Sequence, residues 1–302
     1  MGIQFLMTDY TKYIARPGQP FDLKNHDANR VEPGMHKPNG KSLMKSYRKE
    51  IASLQDMFFA CDRYSLLLIF QALDAAGKDS TIKHVFRKVK PQGVGYQGFL
   101  PPSREEKRHD FLWRVHRHVP GRGMIQVFNR SHYEEVTTTR VHPEYILEQQ
   151  YPGIESTDDI GEEFWEERFR QINDFERLLV QNGTVIMKFF LNVSEAKQRR
   201  RFSKRLRRED KHWKFSEKDL SEMELREEYL VAYERAIGRT TTEYAPWYII
   251  PADRKWFMRY LVSAIVLDKM KELPLEYPGL STAGKKSPAE LKEMLEKKES
   301  ER

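Results

Sequence analysis

A glycine-lysine loop lies directly between a short apolar run and a helical pattern, and this order constrains the fold more than any other feature of the chain. The apolar run spans residues 65–70, the loop follows at 71–77, and the helical pattern occupies 78–89. A continuous apolar run of this length is typical of a parallel strand that is covered on both faces. The chain is therefore expected to open an α/β sheet with a strand, a tight loop and a helix.

Three more short apolar runs predict further strands, and helical patterns lie between and after them. The predicted strands are 124–128, 184–191 and 247–250, and the predicted helices are 41–62, 103–118, 162–181 and 253–272. Strands that alternate with helices predict a mainly parallel sheet. The fold class expected from the residues alone is therefore α/β.

The chain divides into an arm, a central domain and a tail. Residues 1–40 contain repeated proline and glycine without periodicity, which predicts an irregular N-terminal arm. Residues 41–272 hold the predicted sheet, and residues 273–302 form a charged tail that ends in a predicted frayed helix. One folded domain with two appended segments is the expected organisation.

The stretch 194–238 is longer than one crossover helix requires and predicts a pair of helices. Ser194 is a candidate N-cap of the first helix, and Ser216 with Asp219 resembles a capping box at the start of the second. Gly238 is the expected stop of the second helix. A helical excursion of this kind above a sheet is a candidate lid module.

Composition excludes several classes of protein. Aromatic residues make up 12% of the 302 residues, too many for a disordered polyelectrolyte. The single cysteine, Cys61, excludes an intrachain disulfide and a cysteine-based zinc site, and favours a reducing compartment. Since no stretch approaches 18 apolar residues and the start lacks a secretory signal, we expect a cytoplasmic protein without a membrane partner.

The loop resembles the phosphate-binding sequence GxxxxGK(S/T), in which backbone N–H groups and a helix N-terminus bind phosphate oxygens. Ala72 replaces the first glycine, and Asp79 follows Lys78, so that the usual hydroxyl comes one place late at Ser80. The residues expected to contact phosphate in this loop are Ala75, Ala76, Gly77, Lys78, Asp79 and Ser80.

Asp74 is the unusual residue of the loop. A carboxylate in a phosphate-binding loop repels the ligand unless a metal ion or a protonated acceptor lies between them. Asp74 is therefore a candidate magnesium ligand or general base. The alternative is an Asx-turn residue that only shapes the loop.

The strand predicted at 124–128 ends at Asn129 and Arg130, where a P-loop enzyme usually carries a Walker B carboxylate. An amide brings no charge to this position, so metal binding would shift towards Asp74. Arg130 is a candidate for a fixed phosphate contact. The alternative for Asn129, Arg130 and Ser131 is a helix N-cap with a surface arginine.

Basic residues are concentrated in one segment. Residues 197–218 hold eleven basic and three acidic residues, a net charge of +8 in a chain whose total is +7. Lys197, Arg201, Arg205 and Arg208 recur at helical spacing and predict one positive stripe. A solvated face is the alternative, but the scarcity of acids favours an anion-binding face whose partner is nucleic acid, a membrane surface or a phosphate compound.

Six strings, which lie in order within residues 40–270, resemble the polyphosphate kinase 2 family. They are FQALDAAGKDSTIKHVF at 70–86, PQGV at 91–94, DFLWR at 110–114, FNRSHYEEV at 128–136, RVHPE at 140–144 and WKFSEKDL at 213–220. The asparagine of FNRS together with QALDAAGKD is similar to the class III subgroup, whose members phosphorylate both AMP and ADP with inorganic polyphosphate.

The resemblance implies a P-loop kinase-like, three-layer α/β/α sandwich with a helical lid over a channel for polyphosphate. It also implies Mg²⁺ or Mn²⁺ as cofactor, AMP, ADP and ATP as nucleotides, with guanine nucleotides left open, and a homo-oligomer, dimer or tetramer. The implied reaction moves the terminal phosphate of polyphosphate to AMP or ADP and is reversible.

The resemblance also assigns roles to single positions. Asp74 and Lys78 match the Walker A acid and lysine, and Asn129 with Arg130 matches the Walker B pair. Further positions that it implies are the lid residues Arg205 and Asp219, Lys214 beside them, and Glu134 near the nucleobase. Asp74, Lys78, Arg130 and Arg205 are thus expected to be catalytic, Asp74 and Asp219 to bind metal, and Arg200, Arg201, Arg208 and Lys214 to bind polyphosphate. Ser80 departs from the family, where glycine is common, and this could narrow the loop.

Two other functions stay open from the residues alone. A basic P-loop protein could bind nucleic acid through the positive helix, although the lid arginines have few interleaved aromatic residues for stacking bases. An ATP-dependent small-molecule kinase is disfavoured by Ala72 and Asn129, which replace the glycine and the carboxylate expected there. Polyphosphate rather than nucleic acid is the expected partner.

Overall fold

A computed structural model describes residues 9–210, 217–278 and 287–300. It contains one five-stranded sheet in which every neighbouring pair is parallel and the strand order is β2-β3-β1-β4-β5. The strands are β1 (Ser65–Gln71), β2 (Val94–Gly98), β3 (Ile125–Asn129), β4 (Thr184–Asn192) and β5 (Trp247–Pro251).

The described α-helices fall into two packed groups and a few shorter or separate pieces. The helices are α1 (Lys37–Cys61), α2 (Lys78–Val85), α3 (Trp113–His116), α4 (Thr138–Val141), α5 (Glu144–Leu147), α6 (Glu162–Gln181), α7 (Glu195–Leu206), α8 (Glu217–Glu224), α9 (Arg226–Thr240), α10 (Lys255–Lys271) and α11 (Pro288–Ser300). Helices α1, α2 and α10 pack together, and α4, α6 and α9 form the other group. The predicted α/β class with a parallel sheet is confirmed. None of the described helices combines the length and the apolar composition needed to cross a bilayer.

The central strands form the core because helices cover both of their faces. Every residue of β1 and β5 is buried, and Val185 alone among the residues of β4 is partly exposed. In the register of β1 with β3, Phe70 lies opposite Asn129, and the backbone N–H of Arg130 donates to the Phe70 carbonyl over 3.1 Å. The loop after β1 and the residues after β3 therefore meet at the carboxyl edge of the sheet.

Strand β2 was not predicted. Its sequence VGYQG contains two glycines and no apolar run, and its residues are exposed or half-buried. Gly95 lies opposite Gln126 of β3, and a Cβ at Gly95 would stand 1.9 Å from the Gln126 side-chain oxygen. Glycine in this edge strand lets the backbone approach β3 closely. Such an approach leaves no apolar pattern in the sequence, so periodicity does not reveal the strand.

Two predictions about helices are wrong. Residues 103–118 hold only short helices at Glu106–Arg108 and Trp113–His116, because His109 is extended and the Asp110 carboxylate accepts from the N–H of Trp113, which starts a new turn there. Gly238 does not stop a helix, because α9 continues to Thr240; a Cβ there would lie 3.4 Å from Phe21 of the N-terminal arm, so this glycine admits a packing contact.

The stretch after β4 forms three helices, α7, α8 and α9, where a pair was predicted. Ser194 is confirmed as the N-cap of α7, because its hydroxyl accepts from the N–H of Lys197 over 3.3 Å. The capping box predicted at Ser216 and Asp219 lies outside the residues and side chains that the structure describes. Helix α9 buries Ala232, Tyr233, Ala236, Ile237 and Thr240 against the body of the protein.

The N-terminal arm covers the outer edge of β5. Ile14 forms an antiparallel bridge with Tyr248, and the N–H of Ala15 donates to the Trp247 carbonyl over 2.9 Å. The helix after the arm begins at Lys37, earlier than predicted, with Pro38 at a position where its missing N–H costs nothing. The arm thus pairs an edge strand that would otherwise expose its backbone.

A buried ion pair joins the sheet to the α6 layer. The Lys188 Nζ of β4 donates to Glu176 Oε2 over 2.6 Å, to the Thr240 carbonyl over 2.7 Å and to the Tyr133 hydroxyl over 3.0 Å. Both side chains of the ion pair have 0% exposure, and Glu176 also accepts from Tyr133 and lies 3.4 Å from His132. Because Tyr133 and His132 directly follow Arg130 and Ser131, this pair anchors the segment after β3.

We expect Lys188→Met to lower the free energy of unfolding by about 3–5 kcal/mol, because it leaves the buried Glu176 carboxylate without its counter-charge. The double variant Glu176→Gln with Lys188→Met should recover a large part of this loss. Urea denaturation gives both values, and Lys90→Met is the matched control, since the Lys90–Asp56 pair is exposed. A loss below about 1 kcal/mol for Lys188→Met would contradict this account.

Candidate active site

The loop between β1 and α2 has the backbone of an anion-binding turn. Ala75 and Gly77 have left-handed φ values of 61° and 106°. Glycine adopts this region freely, whereas alanine is strained there and must be held by its surroundings. Such turns direct successive N–H groups into one concave site.

Lys78 folds back over the loop that precedes it. Its Nζ donates to the Ala72 carbonyl over 2.7 Å. Burial and the nearby charge of Arg130 lower the pKa of Lys78. The hydroxyls of Ser80 and Thr81 both donate to the Gly77 carbonyl over 3.0 Å, so they close the first turn of α2.

Asp74 and Arg130 face each other across the site. The Arg130 Nη2 donates to Asp74 Oδ1 over 3.1 Å, and the two side chains are 38% and 37% exposed. Burial would raise the pKa of Asp74, but the charges of Lys78, Arg130 and Arg205 lower it below its ordinary value. The charge of Glu134, whose carboxylate lies 4.0 Å from Arg130, is the largest cause that raises the pKa of Arg130, and the charge and hydrogen bond of Asp74 raise it further. The site therefore contains an ionised carboxylate at neutral pH.

The contacts of Asp74 and of the residues after β3 bear on the alternatives for both positions. Asp74 accepts from a guanidinium across the site and, in the described part of the chain, from no N–H of its own loop, as an Asx-turn would require. The N-cap in the alternative for residues 129–131 is confirmed at Ser131, whose hydroxyl accepts from the Tyr133 N–H over 3.2 Å. Arg130 has a left-handed backbone at φ 65°, and its guanidinium, although 38% exposed, donates to Asp74 across the site.

Asn129 connects three elements. Its Nδ2 donates to Asp79 Oδ1 over 2.8 Å and to the Tyr96 hydroxyl of β2 over 2.7 Å. Its buried Oδ1 has no hydrogen-bond partner within the described ranges. The amide at the Walker B position thus binds the carboxylate that follows the loop lysine, a contact that a carboxylate at 129 could not make.

The basic helix α7 contacts the back of the loop. Arg201 donates from Nη1 to the carbonyls of Ala75 and Ala76 over 3.1 and 2.5 Å, and from Nη2 to the Ala252 carbonyl over 2.6 Å. Gln198 donates to the Asp74 carbonyl over 3.0 Å. These bonds hold the loop carbonyls on the α7 side, including that of the strained Ala75. Arg201, expected to bind polyphosphate, thus lies on the loop backbone.

The other predicted lid residues are spread over a wider area. The guanidinium of Arg205 lies 5.1 Å from the Phe202 ring centre and acts electrostatically on Asp74. Arg208 donates to Asp210 over 2.8 Å and 3.0 Å, and Arg200 is exposed. Lys214 and the side chain of Asp219 lie outside the part of the chain that the structure describes.

A cavity of about 480 Å³ opens beside Asp74 and Arg130. This volume is in the range of small-molecule sites. Its apolar lining comes from residues 99–102, 111 and 115, and Glu134 and Glu135 also line it. Tyrosines and further charged side chains that were not predicted also line it: Lys107, Arg114, Tyr145, Glu222, Arg226, Tyr229 and Tyr233.

The donor set fits a magnesium ion that phosphates carry into the site. Among the described residues no group of three or more His, Cys, Asp or Glu side chains could hold a metal ion. Mg²⁺ usually keeps several waters and takes one or two carboxylates plus substrate phosphates. Asp74 supplies one ionised, partly exposed carboxylate of this kind.

Comparison with known proteins places this site in a family. The family model described as polyphosphate kinase 2 matches residues 35–276. An ADP-polyphosphate phosphotransferase of Rhodopseudomonas palustris is 42% identical over 253 residues, which cover 84% of this chain and 86% of the relative. An AMP/ADP-polyphosphate phosphotransferase of Meiothermus ruber is 39% identical over 278 residues, which cover 91% of this chain and 98% of the relative.

A solved structure points to the same family as these two relatives. The crystal structure of polyphosphate kinase 2 from Arthrobacter aurescens TC1 superposes with a TM-score of 0.82 at 37% identity, and the match covers 93% of this chain and 95% of that one. The loop with Asp74 and Lys78 and the segment with Asn129 and Arg130 both lie within the matched residues. This chain belongs to the polyphosphate kinase 2 family.

Proposed function

We propose that this protein transfers the terminal phosphate of inorganic polyphosphate to AMP and ADP, giving ADP and ATP, in a reversible reaction in the cytoplasm. The observation that carries the proposal is the Asp74–Arg130 pair, which joins the loop to the segment after β3 and lines the 480 Å³ cavity. The names of the two relatives, each over 80% of this chain, support the choice of substrates.

The loop supplies the donor side of the reaction. The N–H groups around Gly77 and the start of α2 bind the terminal phosphates, and the Lys78 ammonium neutralises their charge. Phosphoryl transfer goes through a loose transition state, so that positioning and charge stabilisation supply most of the catalysis. Arg130 and Arg205 stabilise the charge that spreads over the transferred group.

The cavity supplies the acceptor side. Its apolar wall accommodates a nucleobase, and Arg130 at its inner end fixes the nucleotide phosphate. Glu134, which accepts from Thr138 over 2.8 Å and borders the cavity, is placed beside the bound nucleotide. A terminal phosphate is already largely ionised near neutral pH, so Asp74 orients the acceptor more than it removes a proton.

Mg²⁺ would be held by Asp74 together with the oxygens of the two substrates, and Mn²⁺ would replace it. When bound, this ion neutralises the developing charge on the transferred phosphoryl group. We also propose Asp219 as a second metal ligand, as the family resemblance implies.

Removing the loop lysine or the loop carboxylate should abolish transfer while the protein stays folded. We expect Lys78→Ala and Asp74→Asn to lower turnover with AMP, Mg²⁺ and long-chain polyphosphate by at least about 100-fold, since each removes charge stabilisation at the reacting phosphates. Lys83→Ala on α2 and Asp56→Asn on α1, both away from the site, are the matched controls. Near wild-type rates for Lys78→Ala and Asp74→Asn would refute the assigned site.

Chelation tests whether phosphate transfer requires a divalent metal ion. EDTA is expected to stop transfer, and added Mg²⁺ or Mn²⁺ to restore it. Asp74→Asn should raise the Mg²⁺ concentration needed for half-maximal rate, because a carboxylate ligand is lost. A full rate in EDTA, or an unchanged Mg²⁺ requirement in Asp74→Asn, would exclude this role for Asp74.

A panel of acceptors tests the finer parts of the proposal. AMP, ADP, GMP and GDP should all be phosphorylated, with the adenine nucleotides preferred. ATP as sole donor to small molecules should give no product, which distinguishes this reaction from an ATP-dependent kinase.

We also propose that the protein is a homo-oligomer. Sedimentation should show a dimer or a tetramer.

A further inference from the structure

His142 lies at the junction of two short helices, and its ring faces a carboxylate on each side. Its Nδ1 lies 3.2 Å from Glu144 Oε1 of α5, and its Nε2 lies 3.1 Å from Glu222 Oε2 of α8. Because a residue before proline is disfavoured in the helical conformation, α4 ends at Val141 and His142 precedes Pro143 with φ −123° and ψ 71°. The RVHPE motif at 140–144 therefore links α5 to α8 across this junction.

The contact between His142 and Glu222 is shielded from solvent and includes a tyrosine. The side chains of His142 and Glu222 are each 17% exposed. The Tyr229 hydroxyl of α9 donates to the same oxygen, Glu222 Oε2, over 2.6 Å. The His142 ring also stacks on Tyr145 with 5.2 Å between the ring centres, and its centre lies 6.3 Å from that of Tyr229. Side chains of the α4–α5 junction and of α9 therefore meet at one carboxylate oxygen of α8.

Glu222 borders the cavity that we assign to the acceptor nucleotide, whereas His142 is not among the described residues that line it. Glu222 and its neighbour Met223 bring α8 into the lining, beside Tyr145 and Tyr229. Helix α8 itself packs against α9. The position of α8 therefore sets how this side of the cavity is closed, and His142 acts on the acceptor through Glu222.

The two carboxylates require two N–H groups from one imidazole ring. A neutral imidazole carries a single N–H and an acceptor nitrogen, whereas the imidazolium donates from both nitrogens. His142 thus donates to Glu144 and Glu222 together only as an imidazolium. In the neutral ring the two carboxylates compete for one N–H, and the bond that remains loses its charge assistance. The other titratable side chains that contact the ring within the described part of the chain, Tyr145 and Tyr229, are uncharged at neutral pH.

We propose that His142, in its imidazolium form, positions Glu222 and thereby α8 as one wall of the acceptor site, so that the affinity for the acceptor nucleotide depends on pH. This inference deepens the proposed function and rests on it. Since His142 acts through Glu222, it is a positioning residue. Affinity is higher at low pH, where the ring is charged, and falls as the pH rises and the ring loses a proton. The charge of a histidine ordinarily changes between about pH 5 and 8.

The KM for AMP as a function of pH tests this role. The phosphate of AMP also loses a proton at about pH 6, so the readout is the ratio of variant KM to wild-type KM at each pH, in which the titration of AMP cancels. His142→Phe keeps a ring that stacks on Tyr145 and removes both nitrogens. We expect it to raise the KM at least about fivefold at about pH 6 and less than about twofold at about pH 8.5. The kcat at saturating AMP should stay within about twofold, because His142 touches no reacting atom.

A second variant distinguishes positioning by a charged ring from a structural role. Glu144→Gln replaces the competing carboxylate by an amide that donates to Nδ1, so that a neutral His142 keeps its N–H for Glu222. The KM for AMP should then lie below that of wild type by about twofold or more at about pH 8.5. His36→Gln is the matched control, since His36 is exposed and makes no side-chain bond to the start of α1. Its KM ratio should be near one at every pH.

A measurement without ligand keeps the test independent of folding. Amide hydrogen exchange in α8 is compared between His142→Phe and wild type at the same pH. Exchange in the variant should be faster at about pH 6 and should converge with wild type at about pH 8.5, while β1 and β4 stay equally protected. A KM ratio for His142→Phe that is the same at both pH values, or a loss of AMP affinity in Glu144→Gln, would overturn the proposal.

Calorimetry with AMP alone separates this inference from the proposed function, because it needs neither polyphosphate nor transfer. If wild type binds AMP with a pH dependence that His142→Phe removes, yet transfers no phosphate, the proposed reaction fails and the role of His142 stands. If transfer occurs and His142→Phe binds AMP as wild type does at every pH, the role of His142 fails and the reaction stands.

Discussion

One electrostatic constraint organises this molecule: a carboxylate, Asp74, lies inside the loop that we propose binds phosphate. It is stable there because Arg130 donates to it over 3.1 Å and because Lys78 and Arg205 add positive charge around it. Each of these cations comes from a different element. The ends of β1 and β3 and helix α7 must therefore meet at one point for the charge of Asp74 to be stabilised. The parallel register of β1 with β3 brings the first two together.

Contacts on two sides of the site hold Arg130 and the loop in the positions that this charge balance requires. Arg130 has a left-handed backbone, and the residues that follow it are held by the buried Lys188–Glu176 pair through Tyr133 and His132. From α7, Arg201 and Gln198 donate to the loop carbonyls and so fix their orientation. The acid and the phosphate site are thus supported from two directions by side chains that need not touch a substrate.

The sequence was sufficient for the parts of the fold that repeat a local pattern. The apolar run of β1, the loop and the amphipathic helix α6 follow from periodicity, because burial on known faces dictates which side chains occur there. Asp74, Lys78, Asn129 and Arg130 were also found as one group, since strand ends of a parallel sheet meet at one edge. Strand β2, the inward turn of Arg201 and the pair of Lys188 with Glu176 were not found. They depend on contacts between residues distant in sequence, and a lysine in an apolar strand gives no local sign of its partner.

The contact between Asn129 and Asp79 links two positions that lie 50 residues apart. Asparagine donates to that carboxylate, whereas aspartate at 129 would place two negative charges within hydrogen-bond distance. The residue after the loop lysine and the residue at the end of β3 are therefore coupled: an acid at 129 meets charge repulsion as long as Asp79 is present. The identity of residue 79 thus constrains which side chains the end of β3 can accept.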